Sequence, residues 1–286
     1  MNSKLTTERR IFDVHVHVAG IFMGGGGRSL REYLDEMGVD AALVNPVEEQ
    51  ASMDVLGAML DDEVVENHAG AEFTPRLPSS EGHPQHDAVL EAVRGAPGRL
   101  HGSFWFNPRA AGDPFQALDE ALDGWGFKAV KVQSTIHRVA ANDLEPLCDY
   151  LSARHRPVPL FVHLSPGFFS FPGLKPTDLL ELTGKFREVQ FVLGHFGYAM
   201  EACLESLFVA KRRANVHLDT SLAVPYAIFL AHKVLGAGRL LFGSDAPAAG
   251  PLEAEIAKVL ALRAPPGDLA AILHDNAARL FLGDSD

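Results

Sequence analysis

Short apolar runs of strand length alternate with longer amphipathic stretches along almost the whole chain. Several runs, such as residues 191–193 and 240–242, are continuously apolar, which is typical of parallel strands covered on both faces. The pattern predicts eight strands: Ile11–Val18, Ala41–Pro46, Gly102–Asn107, Ala129–Ser134, Pro159–Ser165, Gln190–His195, Val216–Ser221 and Leu240–Asp245. Helices are predicted at Pro114–Leu122, Asp143–Ala153, Thr177–Phe186, Met200–Arg212, Tyr226–Leu235, Leu252–Leu262 and Asp268–Leu282.

Eight strand–helix units in one chain predict an α/β fold of the (β/α)8 TIM-barrel type, with a C-terminal helix and one domain over residues 1–286. An open, doubly wound sheet is the alternative, but no G-x-G-x-x-G follows the first strand. The segment Glu48–Gln85 is too long for an ordinary connection and carries a predicted helix, Ala51–Val65. We expect this insertion after strand two to be a lid over the barrel mouth.

Composition and charge exclude several classes of protein. The 286 residues carry a net charge of −12 without a basic stripe, which argues against nucleic-acid binding. No apolar run approaches the roughly 20 residues that span a bilayer, and Met1–Arg10 lacks a signal sequence. Cys148 and Cys203 form no C-x-x-C pattern, which favours a reducing, cytoplasmic location. By analogy with barrel enzymes in general, a homodimer is an expected assembly.

Two histidines separated by one residue lie on the first predicted strand. Because side chains alternate across a strand, His15 and His17 are expected on one face, with Val14 and Val16 on the other. Two neighbouring imidazoles are natural ligands for a divalent metal. A polar strand face without a metal is the alternative reading of this pair.

Polar side chains also follow most of the other predicted strands, where the preceding residues are apolar. They are Lys131, Gln133 and Ser134 at strand four, His163 at strand five, His195 at strand six, Asp219 and Ser221 at strand seven, and Asp245 at strand eight. Barrel enzymes carry their chemistry at the carboxyl ends of the strands. We therefore expect four histidines and two aspartates at one rim.

Several short segments, in a fixed order, carry a family resemblance. They are His15-Val-His17, Gly126-Phe-Lys-Ala-Val-Lys131, His163, Gly194-His195, Gly243-Ser-Asp245 and Asn276-Ala-Ala-Arg-Leu-Phe281. Together they resemble the metal-dependent amidohydrolase superfamily, in particular the amidohydrolase-related branch that includes carboxymuconate-semialdehyde decarboxylase. The resemblance covers nearly the whole chain.

The resemblance implies one divalent metal, with zinc favoured and manganese or iron as alternatives. Its ligands would be His15, His17, His163 and Asp245, and three neutral imidazoles with a carboxylate suit zinc. His195 would be a catalytic base or electrophile, and Asp245 would also accept a proton. For Asp219, orienting His195 and capping a helix are both open.

A small substrate, carboxylated if a cation lines the pocket, would meet Lys131, Arg28, His137 or Arg138. In some amidohydrolases a carboxylated lysine on strand four bridges two metals, but this branch generally lacks one. Lys131 equally suits pairing with a substrate carboxylate. Family members often have a histidine where this chain has Gln133, which leaves the substrate open.

The leading functional hypothesis is a hydrolase of a small amide, ester or lactone, with metal-bound water as the nucleophile. The alternative is a metal-dependent, non-oxidative decarboxylase of an aromatic or muconate-type acid. A catalytically silent, metal-binding barrel is a third hypothesis. Release of carbon dioxide or uptake of oxygen from water would distinguish the two reactions.

Overall fold

Eight parallel strands follow one another around a barrel in sequence order. The computed structural model describes residues 9–20, 28–47, 84–165 and 173–283. The strands are β1 (Phe12–His17), β2 (Ala41–Asn45), β3 (Leu100–Trp105), β4 (Ala129–Gln133), β5 (Leu160–His163), β6 (Phe191–Leu193), β7 (Val216–Asp219) and β8 (Leu240–Leu241). This arrangement confirms the predicted (β/α)8 barrel.

The barrel is closed between its first strand and the residues that follow its last strand. The amide of Val14 donates to the carbonyl of Phe242 at 2.9 Å, and the amide of His17 donates to the carbonyl of Ala246 at 2.9 Å. The amide of Asp245 donates to the carbonyl of His15 at 2.8 Å. The two ends of the sequence therefore meet along one seam.

Helices connect the strands and cover the outside of the barrel. They are α1 (Leu30–Met37), α2 (Asp87–Gly95), α3 (Pro114–Asp119), α4 (Glu145–Ser152), α5 (Leu180–Lys185), α6 (Met200–Arg212), α7 (Pro225–Leu235), α8 (Leu252–Leu260), α9 (Pro266–Ala270) and α10 (Asn276–Leu282). Short 3₁₀ or π turns extend several of them, so that α9 and α10 join through Ala271–Asp275. The helices α1 and α2 were not among those that the sequence pattern predicted.

Local sequence signals fix the ends of α1. The hydroxyl of Ser29 accepts from the amide of Glu32 at 3.2 Å, and the carboxylate of Glu32 accepts from the amide of Ser29 at 2.7 Å. This reciprocal pair satisfies two amides at the start of the helix. Gly38, with φ of +71°, ends it in the left-handed conformation.

An apolar cluster, which we call the lower layer, fills the amino-terminal part of the barrel interior. It consists of Phe12, Val14, Ala41, Leu43, Ala129, Phe161, Val192, Leu241, Ala277 and Phe281. Its last two members come from α10, so the predicted C-terminal helix closes this end of the barrel. Most other apolar strand residues pack outward against the helices.

The register of β1 is irregular between Asp13 and Val16. Val14 belongs to the lower layer, whereas Val16 packs with the outer core. The prediction that Val14 and Val16 share one face was therefore wrong, because an irregular register interrupts the alternation. His15 and His17 nevertheless reach the same site.

The proposed lid, residues 48–85 with its helix Ala51–Val65, falls almost entirely outside the described residues and stays a prediction. Among the helices that the structure describes, none combines the length and apolar character needed to cross a membrane.

Candidate metal centre

Three side chains from the barrel seam converge at the carboxyl end of the strands. The carboxylate oxygen Oδ1 of Asp245 lies 3.2 Å from Nε2 of His15 and 3.1 Å from Nε2 of His17. All three residues are buried. Their potential ligand atoms lie within 4.8 Å of one another, which is close enough for one cation to reach them all.

Hydrogen bonds on the far side of each imidazole fix its tautomer. Nδ1 of His15 lies 2.9 Å from Oδ2 of Asp219, and Nδ1 of His17 lies 2.7 Å from the carbonyl oxygen of Pro46. A carboxylate or carbonyl oxygen can only accept, so Nδ1 carries the proton in both rings. Each Nε2 is therefore unprotonated and has its lone pair beside the carboxylate of Asp245. This donor set fits a divalent metal.

Asp219, at the end of β7, connects the two sides of the site. Besides the imidazole of His15, it accepts from the amide of His195 at 3.0 Å and from the hydroxyl of Ser221 at 2.5 Å. A Cβ on Gly243 would lie 2.1 Å from its Oδ1, so this position has no room for a side chain. Burial raises the pKa of Asp219 to about 6, which leaves it ionised at neutral pH.

His195 lies in a tight turn, Gly194–Gly197, directly after β6, with φ of +57°. Its Nδ1 lies 2.9 Å from the hydroxyl oxygen of Ser221. Because that hydroxyl donates to Asp219, it accepts from Nδ1–H of His195. Nε2 of His195 is then unprotonated, and it is buried without a hydrogen-bond partner within the described part of the chain.

His163, the last residue of β5, packs against His195 with 4.6 Å between ring centroids. Its Nε2 lies 2.8 Å from the hydroxyl of Tyr198, and its Nδ1 is buried without a hydrogen-bond partner among the described residues. His163 is not in the set of atoms that share 4.8 Å with His15, His17 and Asp245. The structure thus places it beside this trio.

Lys131 on β4 points its ammonium group into the centre of the site. Its Nζ lies 2.7 Å from Nε2 of His15 and 3.3 Å from Nε2 of His17. The rings of Trp105 and Phe161 flank it, with their centroids 5.6 and 5.7 Å from Nζ. Burial lowers the pKa of Lys131 to about 8, although the nearby carboxylates oppose that shift.

The electrostatic environment keeps the imidazoles neutral and the carboxylate ionised. Burial, followed by the charge of Lys131, lowers the pKa values of His15 and His17. Burial alone would raise the pKa of Asp245, but His15, His17 and Lys131 together lower it below its ordinary value. Neutral nitrogens and an anionic oxygen are the protonation states that metal binding requires.

The remaining predicted residues lie farther out. Arg28 pairs with Glu36 of α1 at 2.9 Å. His137 accepts from the indole N–H of Trp105 at 2.9 Å, so it supports the wall that faces Lys131. Arg138 follows it with φ of +50°.

Sequence reasoning gave no site role to Tyr198 or Ser221 and left that of Asp219 open. Ser221 and Asp219 share a face at the end of β7, which was the available signal. Tyr198 has φ of +62° and lies outside any strand, so no periodicity could indicate it.

Comparison with known proteins places this geometry in a family. A family model described as Amidohydrolase matches residues 12–282. No curated protein sequence matches the chain. Among solved structures, 5-carboxyvanillate decarboxylase from Sphingomonas paucimobilis is similar, with a TM-score of 0.65 and 15% identity, covering 96% of this chain and 99% of that chain.

Two further structures share the fold. A putative 2-pyrone-4,6-dicarboxylic acid hydrolase from Pseudomonas putida has a TM-score of 0.61 and 17% identity, covering 96% of this chain and 98% of its own. A 5-carboxyvanillate decarboxylase from Novosphingobium aromaticivorans, with bound manganese, has a TM-score of 0.60 and 14% identity, covering 96% and 97%. At these identities the structures show the fold, while the family match spans nearly the whole chain. The predicted membership is confirmed: this chain belongs to the amidohydrolase family.

Proposed function

We propose that this protein is a metal-dependent hydrolase of a small, carboxylated ester, lactone or amide. One observation carries the proposal: the far-side hydrogen bonds leave Nε2 of His15, His17 and His195 unprotonated. Two of these atoms adjoin the Asp245 carboxylate, whereas the third has no partner among the described residues. Such a site can bind a cation through His15 and His17 and still leave His195 available as a base.

The proposed ligands are His15, His17 and Asp245, with His163 as the fourth. The buried, unpartnered Nδ1 of His163 supports its inclusion. When bound, a divalent ion supplies Lewis acidity, which polarises a carbonyl and makes nearby water easier to deprotonate. Zinc is our first choice because of the nitrogen-rich donor set, and the manganese in the related decarboxylase supports manganese as the alternative.

His195 is the proposed general base. Its bare Nε2 would take the proton of the attacking water, while Nδ1–H stays bonded to Ser221. The positive charge that then develops on the ring is stabilised by Asp219, which accepts from both the Ser221 hydroxyl and the His195 amide. The attacking water gives up one proton, for which Asp245 is the alternative acceptor, and the protonated residue then returns it to the leaving oxygen or nitrogen.

Decarboxylation is the second candidate, and the buried ammonium of Lys131 favours it. A cation at the centre of the site, flanked by Trp105 and Phe161, suits a flat, carboxylated substrate. The similar structures include two decarboxylases of 5-carboxyvanillate and a hydrolase of a pyrone dicarboxylic acid. A carboxylated substrate is therefore part of both candidates.

A substrate panel in ¹⁸O-labelled water tests the choice. Metal-loaded protein is incubated with lactones, esters, amides and aromatic or muconate-type acids, and the products are analysed by mass spectrometry. Uptake of one labelled oxygen per turnover supports hydrolysis. Release of carbon dioxide without labelled oxygen in the organic product would replace the proposed hydrolysis by decarboxylation. Tight metal binding without turnover would favour a catalytically silent barrel.

The role of His195 is tested separately from metal binding. The variant His195→Ala should retain its metal and lose about 100-fold or more in kcat, because a positioned base contributes on that scale. His155→Ala, which changes an exposed histidine, is the matched control. Loss of metal from His195→Ala would make His195 a ligand instead of the base.

The cellular setting is also a proposal. Both cysteines, Cys148 and Cys203, are buried free thiols, which supports a reducing compartment such as the cytoplasm. Light scattering in solution would test the expected homodimer.

A further inference from the structure

The ammonium group of Lys131 and the proposed metal claim the same donor atoms. Nζ lies 2.7 Å from Nε2 of His15 and 3.3 Å from Nε2 of His17, and both nitrogens adjoin Asp245. We propose that Lys131 is a built-in competitor for the metal, which holds these donors until a divalent ion displaces it. This inference rests on the proposed metal site and adds a residue that sets its affinity.

The competition follows from the number of lone pairs. Each imidazole has one lone pair at Nε2, because Nδ1–H is committed to Asp219 in His15 and to Pro46 in His17. That lone pair can accept an N–H of Lys131 or bind a metal at about 2.0–2.1 Å, but it cannot do both. Repulsion between an ammonium and a divalent ion adds to the exclusion.

The ammonium also places a positive charge close to buried acidic side chains. Asp245 and Asp219 are both buried carboxylates, and burying such charges without a cation is costly. Lys131 supplies a cation from β4 beside the two histidines of β1, which in turn adjoin the carboxylate of Asp245. A divalent ion that enters brings two positive charges where the ammonium brought one, and it then compensates the charge of the buried carboxylates.

Aromatic rings flank the ammonium group in its position beside the histidines. The rings of Trp105 and Phe161 lie 5.6 and 5.7 Å from Nζ, and aromatic faces attract an ammonium at such distances. The flexible four-carbon stem of Lys131 allows the head group to move while the backbone of β4 stays in the barrel. We expect displacement to take place by a change of side-chain rotamer, with the strand unmoved.

Metal titration of charge-neutral variants tests the competition. Metal-stripped wild type, Lys131→Met, Lys131→Gln and His15→Ala are titrated with Mn²⁺ and Zn²⁺ by calorimetry. The control is Lys128→Met, which makes the same change in a half-buried lysine before β4. We expect Lys131→Met to bind at least about 10-fold more tightly than wild type, Lys128→Met to match wild type, and His15→Ala to lose binding.

The outcomes separate this inference from the proposed function. Binding to Lys131→Met but not to wild type would support the competition most directly. Equal or weaker binding by Lys131→Met and Lys131→Gln, with normal binding by wild type, would overturn the competition and leave the metal site standing. Absence of binding in all variants would overturn both.

A measurement on the wild type keeps the test independent of how the variants fold. In protein labelled with [¹⁵N]lysine, the Nζ signal of Lys131 is followed by NMR as one equivalent of Zn²⁺ is added. We expect this signal to shift while the signal of Lys128 stays in place. An unchanged Lys131 signal in the metal-loaded protein would overturn the proposal.

Discussion

The lower and upper parts of the barrel interior are lined by the same strands, yet the lower part is apolar and the upper part is polar. β1 contributes Phe12 to the lower layer and His15 to the site above it, and β5 contributes Phe161 and His163 in the same way. The edge of Phe161 meets His15 with 4.8 Å between ring centroids, which marks the boundary. On β5, a step of two residues leads from a side chain of the apolar layer to a side chain of the polar site.

Backbone conformation differs between the two parts as well. His195, Tyr198 and Asp245 all have positive φ angles, of 57°, 62° and 59°, and all three lie around the upper site. Side chains other than glycine rarely adopt this conformation, which costs free energy. Backbone hydrogen bonds hold these residues in place: the amide of His195 donates to Asp219, that of Tyr198 to the carbonyl of His195, and that of Asp245 to the carbonyl of His15. Packing of the lower layer thus stabilises the fold, and this stabilisation offsets the cost of the positive φ angles at the upper site.

The largest effect is expected from removing a donor at the upper site. His15→Ala removes a proposed metal-ligand nitrogen, Nε2, and the imidazole that is bonded to Asp219. Activity should therefore fall by about 1000-fold or more, and bound metal should be lost. Kinetics and elemental analysis of purified protein measure the two effects. Full activity in a metal-free His15→Ala protein would contradict the site assignment.

Phe161→Ala tests the lower layer. Deleting a fully buried aromatic ring between β-strands should lower the free energy of unfolding by about 3–5 kcal/mol. Phe229→Ala, at an exposed phenylalanine of α7, should change it by less than about 0.5 kcal/mol. Chemical denaturation gives both values, and similar losses in the two variants would mean that the lower layer is not the source of stability.

Asp219→Asn probes the connection within the upper site. The amide keeps the size of the side chain but weakens its hold on Nδ1–H of His15 and on the Ser221 hydroxyl. We expect metal affinity or kcat to fall by about 10- to 100-fold, with the fold intact by circular dichroism. Wild-type values for both metal affinity and kcat would show that Asp219 does not position the residues of the site.

The smallest effect is expected from His101, which stacks on Phe12 at 5.8 Å beside the lower layer. Burial lowers its pKa from 6.5 to about 4. The unfolded chain therefore takes up a proton at higher pH than the folded one, and stability is lost as pH falls from about 6.5 to about 4. His101→Gln should lose less stability over this interval in denaturation curves, whereas parallel curves for both proteins would argue against the assignment.

The sequence predicted the barrel because the signals for it are local. Continuous apolar runs fix the strands, and polar residues at their carboxyl ends indicate which rim to examine, so the sequence could place His163 and Asp245 at that rim. The register irregularity in β1 was not predictable, because it depends on hydrogen bonds to neighbouring strands. Alternation alone therefore misplaced Val14 relative to Val16.

The contacts within the site that escaped prediction join residues that are distant in the sequence. Asp219 lies 204 positions from His15, and only the folded barrel brings their atoms to 2.9 Å. Tyr198 reaches His163 from an irregular turn, for which no periodic signal exists. The position of the Lys131 ammonium between two histidines likewise follows from the packing of β4 against β1 across the interior.

The seam between the first and last strands has a consequence for how the protein is made. Asp245 follows 230 positions after His15, and the amide of Ser244 bonds to Asp13 across the same seam. A nascent chain can build helices and early strand pairs, but it cannot close this seam until Asp245 has been made. The site is therefore completed late in folding, after all eight strands are available.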